Sequence, residues 1–125
     1  MKYLLALCLI LSGCAAKFSQ TNYDRMVDVA VITRNGDAVC ATTDSMQANF
    51  IRIYNDTVWA LEDAAGRGDT DLVKMLTEQL DEIDRFRDML HKGNVSQFFC
   101  KQKVKNIYDT ARLITKSEGN KLKLL

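Results

Sequence analysis

The chain predicts an all-α protein, a small antiparallel helical bundle. Three observations carry that expectation. Apolar residues recur at helical spacing in three separate stretches, Gly-containing breaks fall between those stretches, and the 125 residues contain no proline. An interior proline costs a helix about 3 kcal/mol, so its absence permits long uninterrupted helices.

The first segment behind the amino terminus, NYDRMVDVAVITRNGD, leaves two readings open. Tyr23, Met26, Val27, Ala30 and Val31 share one helical face with Asp24 and Asp28 opposite. Asn35-Gly36 would then stop the helix, with Gly in the left-handed position. Alternatively, Val27, Val29 and Val31 alternate, and Asn35-Gly36 is a strong hairpin turn signal leading into AVCATT. Helix is the favoured reading, because an isolated two-stranded hairpin is marginal and no third strand is visible.

The next three segments are plainer. Asp44-Ser45-Met46-Gln47 has the form of a capping box with Asp44 at the N-cap. Met46, Phe50, Ile53, Tyr54, Val58, Leu61 and Ala65 follow as a helical stripe, which Gly66-Arg67-Gly68 ends. Asp69 and Thr70 are candidate caps for a stripe of Leu72, Val73, Leu76, Leu80, Ile83, Phe86 and Leu90, ending at Lys92-Gly93. Asn94 with Gln97 suggests a further capping box before Val104, Ile107, Tyr108, Ala111 and Ile114. Ser117-Glu118-Gly119 is expected to break that helix and leave 120–125 as a tail. Short connections make neighbouring helices antiparallel.

The amino terminus reads as an address. Tyr3–Leu11 is an apolar run behind Lys2, less than half of the roughly 20 residues needed to span a bilayer. Charged start, apolar centre and small-residue end are the order of a secretory signal. Leu11-Ser12-Gly13-Cys14 resembles the lipobox of bacterial lipoproteins, in which an aliphatic residue, a small residue and Gly or Ala precede Cys. The resemblance covers residues 1–14. It implies a signal peptide over 1–13, cleavage before Cys14, diacylglycerol on the Cys14 thiol and an acyl group such as palmitate on the new amine. Residues 14–21 would be a lipidated tether and 22–119 the folded domain. One acyl chain holds a protein only marginally, whereas three on one residue make attachment effectively permanent. Ala15 and Ala16 after the cysteine, in place of Asp, imply the outer membrane of a Gram-negative cell, at its periplasmic face.

That address orders the cysteines. Cys8 would leave with the signal and Cys14 would carry lipid, so Cys40 and Cys100 remain, in an oxidising compartment. They are expected to pair. A bridge closing about 60 residues stabilises a fold by roughly 4 kcal/mol in the loop-entropy model. In an up-down bundle Cys40, ahead of one helix, and Cys100, in the first turns of another, share one end.

Charge is balanced. The chain from Cys14 onward holds 16 basic and 16 acidic residues, which gives no global signal for nucleic acid. Its distribution is uneven: residues 62–88 carry nine acidic and four basic residues, and 101–123 carry seven basic and two acidic. Lys101, Lys103 and Lys105 are therefore expected to pair with the acidic helix.

Catalytic groups are not expected, nor is a metal or a cofactor. His91 is the only histidine, and a Cys–His nucleophile needs a free thiol. It is better read as an exposed residue near a helix end. Glu78, Asp81, Glu82, Asp84 and Asp88 read as a solvated helix face interleaved with Arg85 and Arg87. Arg67-Gly68-Asp69 matches an adhesive tripeptide, but a turn followed by a cap explains it. Trp59, Phe98 and Phe99 either widen the core or mark a partner contact, with core packing the simpler expectation. Lys101 and Lys105 would join such a contact.

The functional expectation is a non-enzymatic, lipid-anchored envelope protein that binds or modulates another envelope protein. In size, address and lack of catalytic groups it is similar to the exclusion lipoproteins of phages and plasmids. Alternatives are an outer-membrane-to-peptidoglycan contact through the basic helix, a carrier of an apolar ligand between splayed helices, and an outer-membrane lysis component, whose proline-rich partners look unlike this chain.

Overall fold

The computed structural model describes residues 17–93 and 95–123. The lipobox, Cys14 and Asn94 lie outside the described residues. Among the described residues there are five helices and no strand: α1 (Gln20–Thr33), α2 (Gly36–Val39), α3 (Thr43–Gly66), α4 (Thr70–His91) and α5 (Gln97–Leu122). The first segment is helical, and the hairpin reading of 23–43 is set aside.

Each helix begins on a side chain that satisfies an otherwise orphaned amide, as helix starts require. Ser19, Asn35, Thr42, Asp69 and Ser96 accept from the backbone N–H of Asn22, Ala38, Ser45, Leu72 and Phe99 respectively. The cap of α3 is thus Thr42, not Asp44, which lies in the first turn. Ser96 performs the task expected of Asn94. Gly36 does not take the left-handed conformation; Asn35 caps a new four-residue helix that starts on it. The positive-φ glycines among the described residues are Gly68 (φ 70°) and Gly93 (φ 76°), where the chain turns out of α3 and α4. A side chain at either position would be strained.

Helix α1 packs along both α3 and α5, and α3 packs along α4. Phe50 of α3 stacks on Phe86 of α4 with ring centroids 4.2 Å apart, and Phe86 stacks on Phe99 of α5 at 6.0 Å. Leu76, Ile83, Val104, Ala111 and Ile114 complete the core as their spacing predicts. The expected face of α1 is rotated. Met26 and Ala30 are buried, but Val27 and Val31 face solvent, and Asn22, Val29, Ile32 and Thr33 point inward. A helix packed against two neighbours has a wide buried arc, so the apolar residues alone misplace its centre. The second half of α3 shifts similarly: Thr57, Ala60 and Ala64 are buried, while Ala65 is exposed.

Helix α5 does not end at Ser117-Glu118-Gly119. It continues to Leu122, with Glu118 in its core face. Residues 120–122 of the expected tail therefore belong to the helix. A disulfide joins Cys40, the C-cap of α2, to Cys100 in the first turn of α5, with Cα atoms 5.9 Å apart. No helix among the described residues is long and apolar enough to cross a membrane.

Removing the bridge with Cys40→Ala/Cys100→Ala should lower the unfolding free energy by about 4 kcal/mol. Urea unfolding of both proteins, with the midpoint compared before and after reduction of the wild type, checks this. Reduction should leave the double variant unchanged.

Candidate functional site

The helices have two ends with different chemistry. One gathers the start of α1, the end of α3, the start of α4 and the end of α5. It is a buried polar network. The Ser19 N–H donates to Glu118 Oε2 at 3.0 Å, and Ser19 Oγ donates to Asp63 Oδ2 at 2.7 Å. The same Asp63 oxygen accepts from Asn22 Nδ2 at 2.8 Å and from Arg67 Nε at 2.9 Å. Burial works to raise the Asp63 pKa, but the hydrogen bonds from Ser19, Asn22 and Arg67 outweigh it and hold the carboxyl below its ordinary value. Lys121 Nζ bridges Glu118 Oε1 at 2.8 Å and Asp69 Oδ2 at 3.2 Å. Arg67 Nη1 also donates to the Lys17 carbonyl at 3.0 Å, which fixes the direction in which the chain enters the bundle. The Arg67-Gly68-Asp69 triplet is accounted for by this clamp, the Gly68 turn and the α4 cap.

The opposite end holds the disulfide and the start of α5. Phe98 lies there with 71 % of its surface exposed. Phe99, its neighbour, turns inward onto Phe86. Lys101 pairs with Asp37 of α2 at 2.9 Å, and Lys105 with Asp109 of its own helix at 3.7 Å. Only Lys103 of the three reaches the acidic helix, at Glu82 3.4 Å away. The expected pairing of α5 with α4 thus reduces to one of these three lysines, together with Lys121 on Asp69. The reason is the packing order: α1, not α4, runs along α5.

Trp59 does not join Phe98. It sits beside Ala60, whose carbonyl accepts from Asn22 Nδ2, and so belongs to the other end of the bundle. It is 55 % exposed, and the Arg25 guanidinium lies 5.2 Å from its ring centroid. The expectation that both aromatics enter the core is therefore corrected. Neighbouring α1 and α3 supply the core there through Met26, Val29, Ile53 and Ala60 instead.

Beneath Arg25 lies a pair of carboxylates. Asp56 is buried, accepts from Arg25 Nη1 at 3.3 Å on Oδ1, and has no partner for Oδ2 among the described residues. Burial, then the neighbouring Asp28 carboxylate, push its pKa up from 3.8 to about 7 against the opposing pull of Arg25. Asp28 is itself held by Arg52 at 3.1 Å.

A third feature opens between α4 and α5, which do not run closely along one another. It is a groove of about 650 Å³, with Met75 and Ile107 among its lining and acidic side chains from both helices on its walls. Gln79 lines it, is 6 % exposed, and its Nε2 has no hydrogen-bond partner among the described residues. An unmet buried donor costs about 1–3 kcal/mol. The face of α4 read as solvated is so for Glu78, Asp81, Asp84 and Asp88, with Glu82 partly covered; His91 is exposed in the last turn.

Sequence reading missed the buried polar residues Asn22, Asp56, Gln79 and Glu118. A signal existed. Each stands three or four residues from a core apolar residue (Met26, Ile53, Leu76 and Ile114), so the stripes continue through polar side chains.

Two tests follow. Glu118→Ala should cost about 3 kcal/mol, the range for breaking a buried ion pair. It should also speed hydrogen exchange at the Ser19 amide; urea unfolding and exchange by NMR read these. Asp56 binds a proton more tightly folded than unfolded. Its stabilising share is present in full below about pH 4 and is lost as the pH rises through 7. Asp56→Asn, whose neutral amide carries no charge to be buried beside Asp28, should raise stability at pH 8 by about 1–2 kcal/mol and flatten the fall between pH 5 and 8. Thermal melts across that range measure it.

No protein-family model, curated protein or solved structure matches the chain.

Proposed function

We propose that the chain is a lipid-anchored, non-enzymatic envelope protein that binds or modulates another envelope protein through the free end of its bundle. The observation that carries this reading is Phe98: an aromatic ring 71 % exposed, at the end of the bundle opposite the Lys17 clamp. From Phe98 to Glu118 is about 30 Å along α5 at 1.5 Å per residue. A lipid on Cys14, three residues ahead of Lys17, would hold the clamped end at the membrane surface. The disulfide would then stiffen the end that meets the partner. Exposed aromatics with a rigid backing are the common anchors of protein interfaces. Lys101 and Lys105 follow Phe98 in sequence, with side chains 47 % and 78 % exposed.

The cell-wall alternative draws less support from the same geometry. Lys101, Lys103 and Lys105 each already face a carboxylate. The lipidated address remains part of the proposal and fits an outer-membrane, periplasm-facing protein of the exclusion-lipoprotein type.

Two measurements test it. Mass spectrometry of the protein from cells should give an amino-terminal Cys14 carrying three acyl chains; an unprocessed methionine start would remove the anchor. Affinity capture from crosslinked envelopes should recover one specific protein, lost with Phe98→Ala although that variant stays within about 0.5 kcal/mol of wild-type stability. Capture of the same protein by Phe98→Ala at the wild-type level would exclude this surface.

A further inference from the structure

The flank of the clamped end carries another groove, between Tyr23 of α1 and the outer face of α5. Its volume is about 510 Å³, and Asp109, Arg112, Leu113, Thr115 and Lys116 complete its lining. Lys116 stands two residues and Arg112 six residues ahead of Glu118, which is about 3 and 9 Å along the axis at 1.5 Å per residue. Elsewhere on α5 the lysines are engaged: Lys101, Lys103, Lys105 and Lys121 each meet a carboxylate. Arg112 and Lys116 are exposed and make no ion pair among the described residues. Asp109, the acid on the wall, is held by Lys105 at 3.7 Å. The groove therefore presents positive charge at a concave surface, where fields are concentrated.

Charge alone would suit any anion. Two observations narrow the choice. Leu113 stands between the cations with 57 % of its surface exposed, and the half-buried Tyr23 closes the other wall, its ring 5.9 Å from that of Phe18. A small hydrophilic anion makes no use of an exposed leucine. A ligand with an anionic head and an apolar body uses both, as basic residues set beside apolar ones do at a bilayer surface. The second observation is reach. Cys14 lies four residues ahead of Phe18, and four residues span at most about 14 Å. Acyl chains on Cys14 thus bring the headgroup layer of their own leaflet to the mouth of this groove. The guanidinium fork of Arg112 suits phosphate oxygens, and tyrosine suits the boundary between headgroups and hydrocarbon.

We propose that the groove between Tyr23 and the outer face of α5 binds the headgroup of an anionic phospholipid from the leaflet that anchors Cys14, with Arg112 and Lys116 on the phosphate and Leu113 against the start of the acyl chains. This deepens the reading of a lipid-anchored bundle and rests on it. A second, non-covalent contact fixes which flank of the clamped end meets the bilayer.

The test is an NMR titration of the isotopically labelled full chain, its disulfide formed and Cys14 unacylated, with dihexanoyl phosphatidylglycerol below its micelle concentration. Saturable shifts are expected at Tyr23, Arg112, Leu113, Thr115 and Lys116. Dihexanoyl phosphatidylcholine has the same chains and no net charge, and glycerol phosphate has the anion and no chains; each should bind about fivefold more weakly or worse. The exposed pair Arg112→Gln/Lys116→Gln, which leaves the core untouched, should weaken binding about tenfold or more. Absence of saturable shifts, equal binding of phosphatidylcholine or glycerol phosphate, equal binding of the blocked acidic peptide acetyl-Asp-Asp-Asp-amide, shifts centred on Phe98 or Trp59, or undiminished binding by the double variant would each overturn the proposal. An acylated Cys14 in cells without this binding removes the groove alone. Binding here with no acyl group on Cys14 in cells removes the anchor alone, so the two readings fail separately.

Discussion

The fold depends most on one carboxylate oxygen. Asp63 Oδ2 receives Ser19 Oγ, Asn22 Nδ2 and Arg67 Nε within 2.7–2.9 Å. These donors come from the start of α1 and from the turn after α3, so one charge fixes where the chain enters and how two helices meet. Charge-assisted hydrogen bonds are roughly twice as strong as neutral ones, and Asp63 collects its donors where Asn22 is fully buried. The adjoining Glu118–Lys121–Asp69 set extends the clamp to α4 and α5. Four helices are thus registered at one end by polar contacts, which are directional, and not by apolar packing, which is not.

The other end is closed differently. The Cys40–Cys100 bond ties α2 to α5, and the Phe50–Phe86–Phe99 stack joins α3, α4 and α5 beneath it. Between the two closures α1 fills the space along α5, so α4 is left facing α5 across an open groove. An end-clamped bundle of this kind can expose side chains such as Phe98 and Trp59, and carry the unmet buried amide of Gln79, without losing its register. Surface pairs such as Arg52–Asp28 and Lys92–Asp88 add little to that framework.

Much of the architecture was legible in the residues. The stripes of α4 and α5 are nearly those observed, because Leu72, Leu76, Ile83, Phe86 and Leu90, and Val104, Ile107, Ala111 and Ile114, keep a strict helical period. Turns at Gly68 and Gly93 and the cap at Asp69 were equally plain, since each residue type suits its backbone conformation. The disulfide followed from the few cysteines left for pairing. The candidate site was far less legible. Phe98 and Phe99 are adjacent, and only the position of Phe86 decides which of them is covered. Lys101, Lys103 and Lys105 look alike in the sequence, yet they find three different partners on three elements.

By itself, then, the sequence determined the local facts: which segments are helical, where most of them stop, and which two thiols could be brought together. Those depend on backbone preference and on periodicity, both written within a few residues. Tertiary structure alone decided which helices are neighbours, and with that which polar side chains are buried. Asn22, Asp56, Gln79 and Glu118 are ordinary surface residue types until a second or third helix covers them. Their cost or benefit is set by the partner that arrives: Asp63 for Asn22, Lys121 for Glu118, a second carboxylate for Asp56, and for the Gln79 nitrogen none among the described residues. Burial removes water as the alternative partner, so only the assembled bundle determines whether each polar group is satisfied.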